Sequence, residues 1–99
     1  MLDRYPVQNP RAAWRVYDGE AVIVSPEDST LHTLNEVGTL IWEAADGLTS
    51  VEALAARIAG EFDVSSETAR RDAEAFIEHL VRRGLLEVSE TPRTAPPTP

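Results

Sequence analysis

The spacing of hydrophobic and polar positions changes near Asn35. Before it, β-branched and aromatic residues stand in short runs separated by turns, which is typical of strands. Asp18-Gly19 tolerates the positive φ angles of a tight hairpin, and Pro26 ends the second run. A third run covers residues 30–34. These runs predict a three-stranded antiparallel meander whose last strand is an edge.

After Asn35 the hydrophobic residues recur with helical spacing in three successive segments. Asn35, Thr49 and Ser65 are each placed to cap the start of one helix, and Thr49 fits a capping-box pattern. Gly47 and Gly84 are predicted to end the first and third helices. The predicted order is βββααα, an α+β fold.

The two ends of the chain differ from its middle. Residues 1–11 contain Pro6 and Pro10, which interrupt strand pairing, and are predicted to form a flexible arm. Residues 90–99 are rich in proline and are predicted to be a disordered tail. The folded domain is therefore expected to span residues 12–89, a length that suits one modest core.

Charge and composition narrow the functional classes. The net charge is −8, and an acidic surface of this kind repels nucleic acid and anionic lipid. The chain has no cysteine, no apolar run of about 20 residues and no signal-peptide pattern at its start. We expect a cytoplasmic protein, acting as a monomer or weak dimer, without nucleic acid or membrane as partner.

Residues suited to catalysis or metal binding are few. There is no cysteine or lysine nucleophile, and the serines fall in turns and caps. His32 and His79 lack the spacing of a metal-ligand motif, and no glycine-rich loop precedes a helix. We expect no enzymatic activity, no metal and no cofactor.

Two elements suggest a binding surface. Residues 30–34 form an edge strand without lysine or proline, so their backbone groups can accept another chain; the alternative is a short, solvated edge. On the third helix, Val81 widens the apolar stripe beside Arg70 and Glu74, as in the wall of a groove. The alternative is that Val81 is an ordinary exposed valine.

An ordered set of short motifs resembles the pyrroloquinoline quinone biosynthesis protein D family (PqqD-like proteins). The resemblance extends roughly from Trp14 to Val88. It rests on Leu34-Asn35, Gly38, Ile41-Trp42, Asp46-Gly47, Thr49, Phe62, Asp72-Ala73, Phe76-Ile77, Leu80 and Gly84-Leu85-Leu86.

The resemblance implies a winged helix-turn-helix module that acts as a RiPP recognition element. Such a module binds the leader of a ribosomally made precursor peptide and presents it to a modifying enzyme, often a radical S-adenosylmethionine (SAM) enzyme. The leader adds as a strand to the third strand, beside the third helix. Ala73 replaces a larger aliphatic residue, which leaves the groove roomier. The expected peptide-binding residues are Thr30, Leu31, His32, Thr33, Leu34, Arg70, Ala73, Glu74, Ile77 and Val81.

Two other functions remain open at this point. A winged helix-turn-helix can bind DNA, with Arg70 and Arg71 as contacts on the third helix. The four arginines of that helix are balanced by four acidic residues, which gives little attraction for phosphates. The other alternative is a structural, protein-docking adaptor.

Overall fold

The structure is a computed structural model that describes residues 4–91. The strands of this part form two antiparallel sheets, one of β2, β3 and β4 and one of β1 and β5. The elements are β1 (Tyr5–Gln8), β2 (Ala13–Tyr17), β3 (Glu20–Val24), β4 (Leu31–Thr33), α1 (Glu36–Glu43), α2 (Val51–Phe62), α3 (Ser66–Arg82) and β5 (Leu86–Ser89). The prediction of an α+β fold, with a three-stranded sheet followed by three helices, is confirmed.

The β2–β3 hairpin forms where the sequence predicts it. Asp18 and Gly19 have φ angles of 51° and 80°, the left-handed pair that a tight two-residue hairpin needs. β3 is the central strand, and β2 and β4 lie on either side of it. The predicted edge position of the third strand of this meander is therefore confirmed.

Serine and asparagine caps begin the helices. The side chain of Asn35 accepts from Gly38 N–H at 2.8 Å, and that of Ser65 accepts from Thr68 N–H at 3.1 Å, as predicted. The prediction for α2 is wrong by one residue, because Ser50 rather than Thr49 is its cap. The N–H of Thr49 instead donates to Asp46 Oδ1.

The first helix ends earlier than the sequence predicts. α1 stops at Glu43, not at Gly47. Gly47 has a φ of 79° and donates its N–H to the carbonyl of Pro6 at 2.8 Å. This glycine therefore turns the chain towards β1 and does not serve as a helix C-cap.

The core lies between the inner face of the three-stranded sheet, the helices and β5. Trp42 is fully buried, and its indole meets that of Trp14 edge to face at 5.9 Å, so α1 packs on the sheet. The hydroxyl of Thr39 also accepts from Ala21 N–H at 2.8 Å. The buried hydrophobic residues are Ala21, Ile23, Leu34, Ile41, Trp42, Ala45, Val51, Leu54, Ala55, Ile58, Ala69, Ala73, Ile77, Leu80, Leu85 and Leu86.

The prediction that residues 1–11 form a flexible arm is wrong for residues 5–8. These residues are β1, which pairs antiparallel with β5, and Pro6 is fully buried. The N–H of Asn9 donates to Leu85 O, so the odd-numbered residues of β1 form the hydrogen-bonded pairs with β5. Pro6 lies between them, and its nitrogen faces away from β5. Proline is tolerated there because no hydrogen bond to β5 is lost. The predicted disordered tail falls mainly on residues 92–99, outside the described residues.

Within residues 4–91, no helix combines the length and hydrophobicity needed to cross a membrane.

Candidate functional site

β4 presents one open side to solvent. It is the last strand of its sheet, and β3 occupies its other side. Leu31 and Thr33 are exposed, and His32 between them is half-buried. The register between β3 and β4 pairs Val24 with Leu31, Ile23 with His32 and Val22 with Thr33.

The hydrogen-bonding groups of β4 that remain open can be assigned from this register. Beyond the two ends of β4, Thr30 O accepts from Ser25 N–H at 2.9 Å, and Leu34 N–H donates to Ala21 O of β3 at 2.8 Å. Bonded and non-bonded pairs alternate along an antiparallel ladder. His32 therefore bonds to Ile23, whereas the N–H and C=O groups of Leu31 and Thr33 point to the open edge.

The turn before β4 is held by Asp28. Its Oδ1 accepts from Thr30 N–H at 3.1 Å. This backbone hydrogen bond, followed by bonds from the hydroxyls of Thr30 and Ser25, lowers the pKa of the Asp28 carboxyl below its ordinary value. Ser29 adopts a left-handed φ of 60° and donates its N–H to the carbonyl of Ser25. The turn fixes β4 beside β3 at this end.

The inner face of the sheet leads to the same edge. Trp14 is opposite Ile23, and Ile23 is opposite His32, so the three side chains form one row across the strands. Ile23 is fully buried, and Trp14 contacts Trp42 edge to face. A strand added beside β4 would extend this row by one residue. The side chain of that residue would point to the inner face of the sheet.

α3 contacts the first turn of α1 through Phe76. A Cβ atom built on Gly38 of α1 would lie 2.9 Å from Phe76 Cζ and 3.3 Å from Asn35 Oδ1. The half-buried ring of Phe76 thus rests on the first turn of α1, two residues beyond the end of β4. At 100° per residue, Asp72 and His79 share this side of α3.

The family model of coenzyme PQQ synthesis protein D (PqqD) matches residues 20–86, more than half of the 99 residues. The chain belongs to the PqqD family. The match covers the open edge of β4, the three helices and the start of β5. No curated protein matches this PqqD-family chain.

Two solved structures share the fold of this PqqD-family protein. TbiB1 in complex with the TbiA(beta) leader peptide superposes with a TM-score of 0.75 at 26% identity, over 82% of this chain and 94% of that one. A lasso peptide synthetase B1 complexed with the leader peptide gives a TM-score of 0.75 at 20% identity, over 84% of this chain and 98% of that one.

The residues of α3 expected at the site do not lie on the Phe76 side. Ala73 and Ile77 are buried in the core, with 1% and 0% exposure. Arg70, Glu74 and Val81 are turned roughly 120° to 160° around the helix from Phe76. In this PqqD-family chain, Phe76 thus contacts the start of α1, which follows residues 30–34, whereas Arg70, Glu74 and Val81 lie on another side of α3.

Arg70, Glu74 and Val81 lie beside the β1–β5 sheet. Glu74 Oε1 is 3.8 Å from Arg4 Nη2 and accepts from Arg70 Nε at 3.2 Å, a contact within one helix. Val81 is 40% exposed and borders a cavity of about 230 Å³ together with Arg4, Ile77, Glu78, Arg82 and Val88. This surface is separate from the open edge of β4.

Phe76 is not among the peptide-binding residues expected from the sequence, although the structure makes it a candidate through its contact with the start of α1. The available signal was its place at one margin of the apolar stripe of α3, next to the polar Asp72 and His79 positions. In residues 4–91 there is no group of three or more His, Cys, Asp or Glu side chains that could hold a metal ion. The arrangement is suited to binding a chain through backbone groups and apolar contacts.

Proposed function

We propose that this protein is a RiPP recognition element that binds the leader of a ribosomally made precursor peptide and presents it to a modifying enzyme. The observation that carries the proposal is the open edge of β4, where two backbone N–H groups, those of Leu31 and Thr33, point away from the sheet. Membership of the PqqD family and likeness to TbiB1 bound to a leader peptide support it.

In this mechanism the leader binds as an additional strand next to β4. Main-chain hydrogen bonds to Leu31 and Thr33 hold it, and its alternate side chains supply selectivity. The side chain opposite His32 points to the inner face, where Phe76 borders the end of the strand. Arg70, Glu74 and Val81 take no part in this contact.

The protein itself performs no chemistry on the peptide. Its role is to raise the local concentration of the precursor at a separate modifying enzyme, for which we propose a radical SAM enzyme, in cytoplasmic peptide modification. When precursor and enzyme are bound to one small module, the length and stiffness of the peptide segment between leader and modification site set their effective concentration.

The test uses Thr33→Pro. The ring removes the N–H that faces the open edge and blocks the approach of a strand, so affinity for a synthetic precursor leader peptide that binds the wild type should fall about tenfold or more. Thr33→Val is the matched control because it keeps the N–H and the β-branched shape; its affinity should stay within about threefold. Affinity is measured by calorimetry, with folding checked by circular dichroism.

His32→Pro provides the internal contrast. The N–H of His32 bonds to β3, so proline there should lower the melting temperature of the domain itself. Backbone-amide NMR of the wild type should show the largest leader-induced shifts at Leu31, Thr33 and Phe76. Equal leader affinity for wild type and Thr33→Pro, or salt-dependent binding of duplex DNA instead of leader, would overturn the proposal.

A further inference from the structure

The outer face of the three-stranded sheet carries several apolar side chains that are partly or largely exposed to solvent. Val22 and Val24 of β3 are half-buried there, while Leu31 is 65% exposed and Tyr17 is 59% exposed. A shallow cavity of about 270 Å³ runs over this face, from Tyr17 on β2 to Leu31 on β4. A hydrophobic leucine therefore stands at the open edge, with apolar neighbours behind it.

These residues form a row that ends at the open edge. Ala13 is opposite Val24, and Val24 is opposite Leu31, so their side chains lie side by side on the outer face. The next row along the strands, Arg15, Val22 and Thr33, is of mixed polarity. The outer face thus offers one apolar position at the edge, that of Leu31.

The backbone groups of Leu31 link this row to the incoming strand. Its N–H and C=O face the open side, so in a strand added antiparallel to β4 the residue that bonds to them places its side chain on the same face as Leu31. Directly opposed side chains in a sheet have Cβ atoms about 4.5–5.5 Å apart and pack together. The neighbouring peptide residue, opposite His32, points to the inner face.

We propose that the peptide recognised at this edge carries apolar side chains at two consecutive positions, one turned inward towards Phe76 and the next turned outward onto Leu31. The inference rests on the proposed function and specifies its substrate class. Strands covered on both faces have continuous rather than alternating hydrophobic residues. Leu31 is thus a specificity-determining residue that adds an outward contact to the inward one.

The experiment selects 12-residue peptides from a random display library on the full chain, in parallel with the Leu31→Thr variant. Leu31 is largely exposed, so the substitution leaves the core intact, and threonine keeps a strand-compatible shape. Peptides selected on wild type should show two adjacent apolar positions. Peptides selected on Leu31→Thr should keep one of them and lose the preference at the other.

A double-mutant cycle then tests the contact directly. A selected peptide should bind Leu31→Thr up to about fivefold more weakly than wild type, the range that a cross-strand pair contributes. With threonine at its outward position, the same peptide should bind the two proteins equally. Alternating apolar and polar positions in the selected peptides, or an equal loss with both peptides, would overturn the inference while leaving strand addition intact.

The Thr33→Pro variant separates this inference from the proposed function. Selected peptides should lose binding to Thr33→Pro whether their hydrophobic residues are consecutive or alternate. If no selected peptide depends on the N–H of Thr33, the proposed function fails and the inference fails with it.

Discussion

Asp46 stabilises the turn that connects α1 and α2. Its Oδ1 accepts from the N–H of Leu48 at 2.8 Å and from that of Thr49 at 2.9 Å. Burial alone would raise the pKa of this carboxyl, but these backbone bonds and the hydroxyl of Thr49 together lower it below its ordinary value. One carboxylate thereby fixes the turn from which Gly47 contacts β1.

The lowered pKa of Asp46 predicts a pH-dependent contribution to stability. A carboxyl with a depressed folded-state pKa stabilises the fold at pH values above its unfolded pKa, about 3.9, and this contribution is lost as pH falls through the folded value. Asp46→Asn should therefore be less stable than wild type at pH 7, with the difference narrowing below about pH 4. Urea unfolding at both pH values measures it; a constant difference would contradict the prediction.

Ile41 is 1% exposed in the core, so Ile41→Ala should lower the free energy of unfolding by about 2–5 kcal/mol. Asn35→Ala, which removes the α1 cap, should lower it by about 1 kcal/mol. Denaturant unfolding measures both values. An unchanged midpoint for Ile41→Ala would show that α1 is not a structural helix.

Residue-scale features were predictable where the signal is local. The caps Asn35 and Ser65 and the Asp18-Gly19 turn act within a few residues of themselves, and sequence locates them correctly. Ser50 and Thr49 are both suitable caps for α2. The choice depends on Asp46, whose carboxylate takes the N–H of Thr49, and a propensity rule for one position does not include that competition.

At the scale of elements, the contact between α1 and α3 decides the shape of the candidate site. Gly38 lets the ring of Phe76 lie directly on α1, where a methyl group would approach Phe76 Cζ to 2.9 Å. The ring end of a phenylalanine can move, so the contact sets the position of Phe76 rather than the stability of the whole core. Gly38 is therefore a residue that positions Phe76 at the start of α1, next to the open edge of β4 that we propose as the peptide site.

Gly38→Ala should shift the ring of Phe76 and weaken leader binding severalfold, with a smaller effect on the melting temperature. The double variant Gly38→Ala/Phe76→Leu should recover part of the affinity because the shorter side chain leaves room for the methyl group. Calorimetry with the leader and aromatic side-chain NMR measure the two effects. Additive losses in the double variant would show that the two residues do not act through each other.

The apolar stripe of α3 shows which features of a helix can and cannot be predicted from its sequence. Ala73 and Ile77, which are expected to bind the peptide, are buried in the core instead. The stripe does not show which flank of the helix meets β4, because that depends on where α1 crosses α3. Leu31 and Thr33 illustrate the same limit, since the direction of their N–H groups follows from the register with β3.

At the scale of the whole molecule, β1 joins parts that are far apart in sequence. It pairs with β5, and its other side receives the N–H of Gly47 through Pro6 and bonds to Ala45 through Gln8. The carbonyl of Arg4 accepts from Val51 N–H at 2.8 Å. Four residues at the front of the chain thus connect the last strand to the turn between α1 and α2.

Deletion of residues 1–9 should destabilise the domain, in contrast to the removal of a flexible arm. Loss of several backbone hydrogen bonds and of buried Pro6 amounts to about 2 kcal/mol or more, which lowers Tm by about 8–16 °C. Differential scanning calorimetry measures the change. The full chain with Gln8→Ala is the control for a single side-chain loss, and a Tm within about 2 °C of wild type after the deletion would refute the role of β1.

The antiparallel pairing of β1 with β5 brings Tyr5 and Ser89 face to face. Their Cα atoms are about 5.5 Å apart, as in any hydrogen-bonded antiparallel pair. A chain entering at one of these residues and leaving at the other needs little linker, which makes the domain suitable for circular permutation or for insertion into a surface loop of a host protein. Because β4 belongs to the other sheet, such a graft would leave the open edge of β4 exposed.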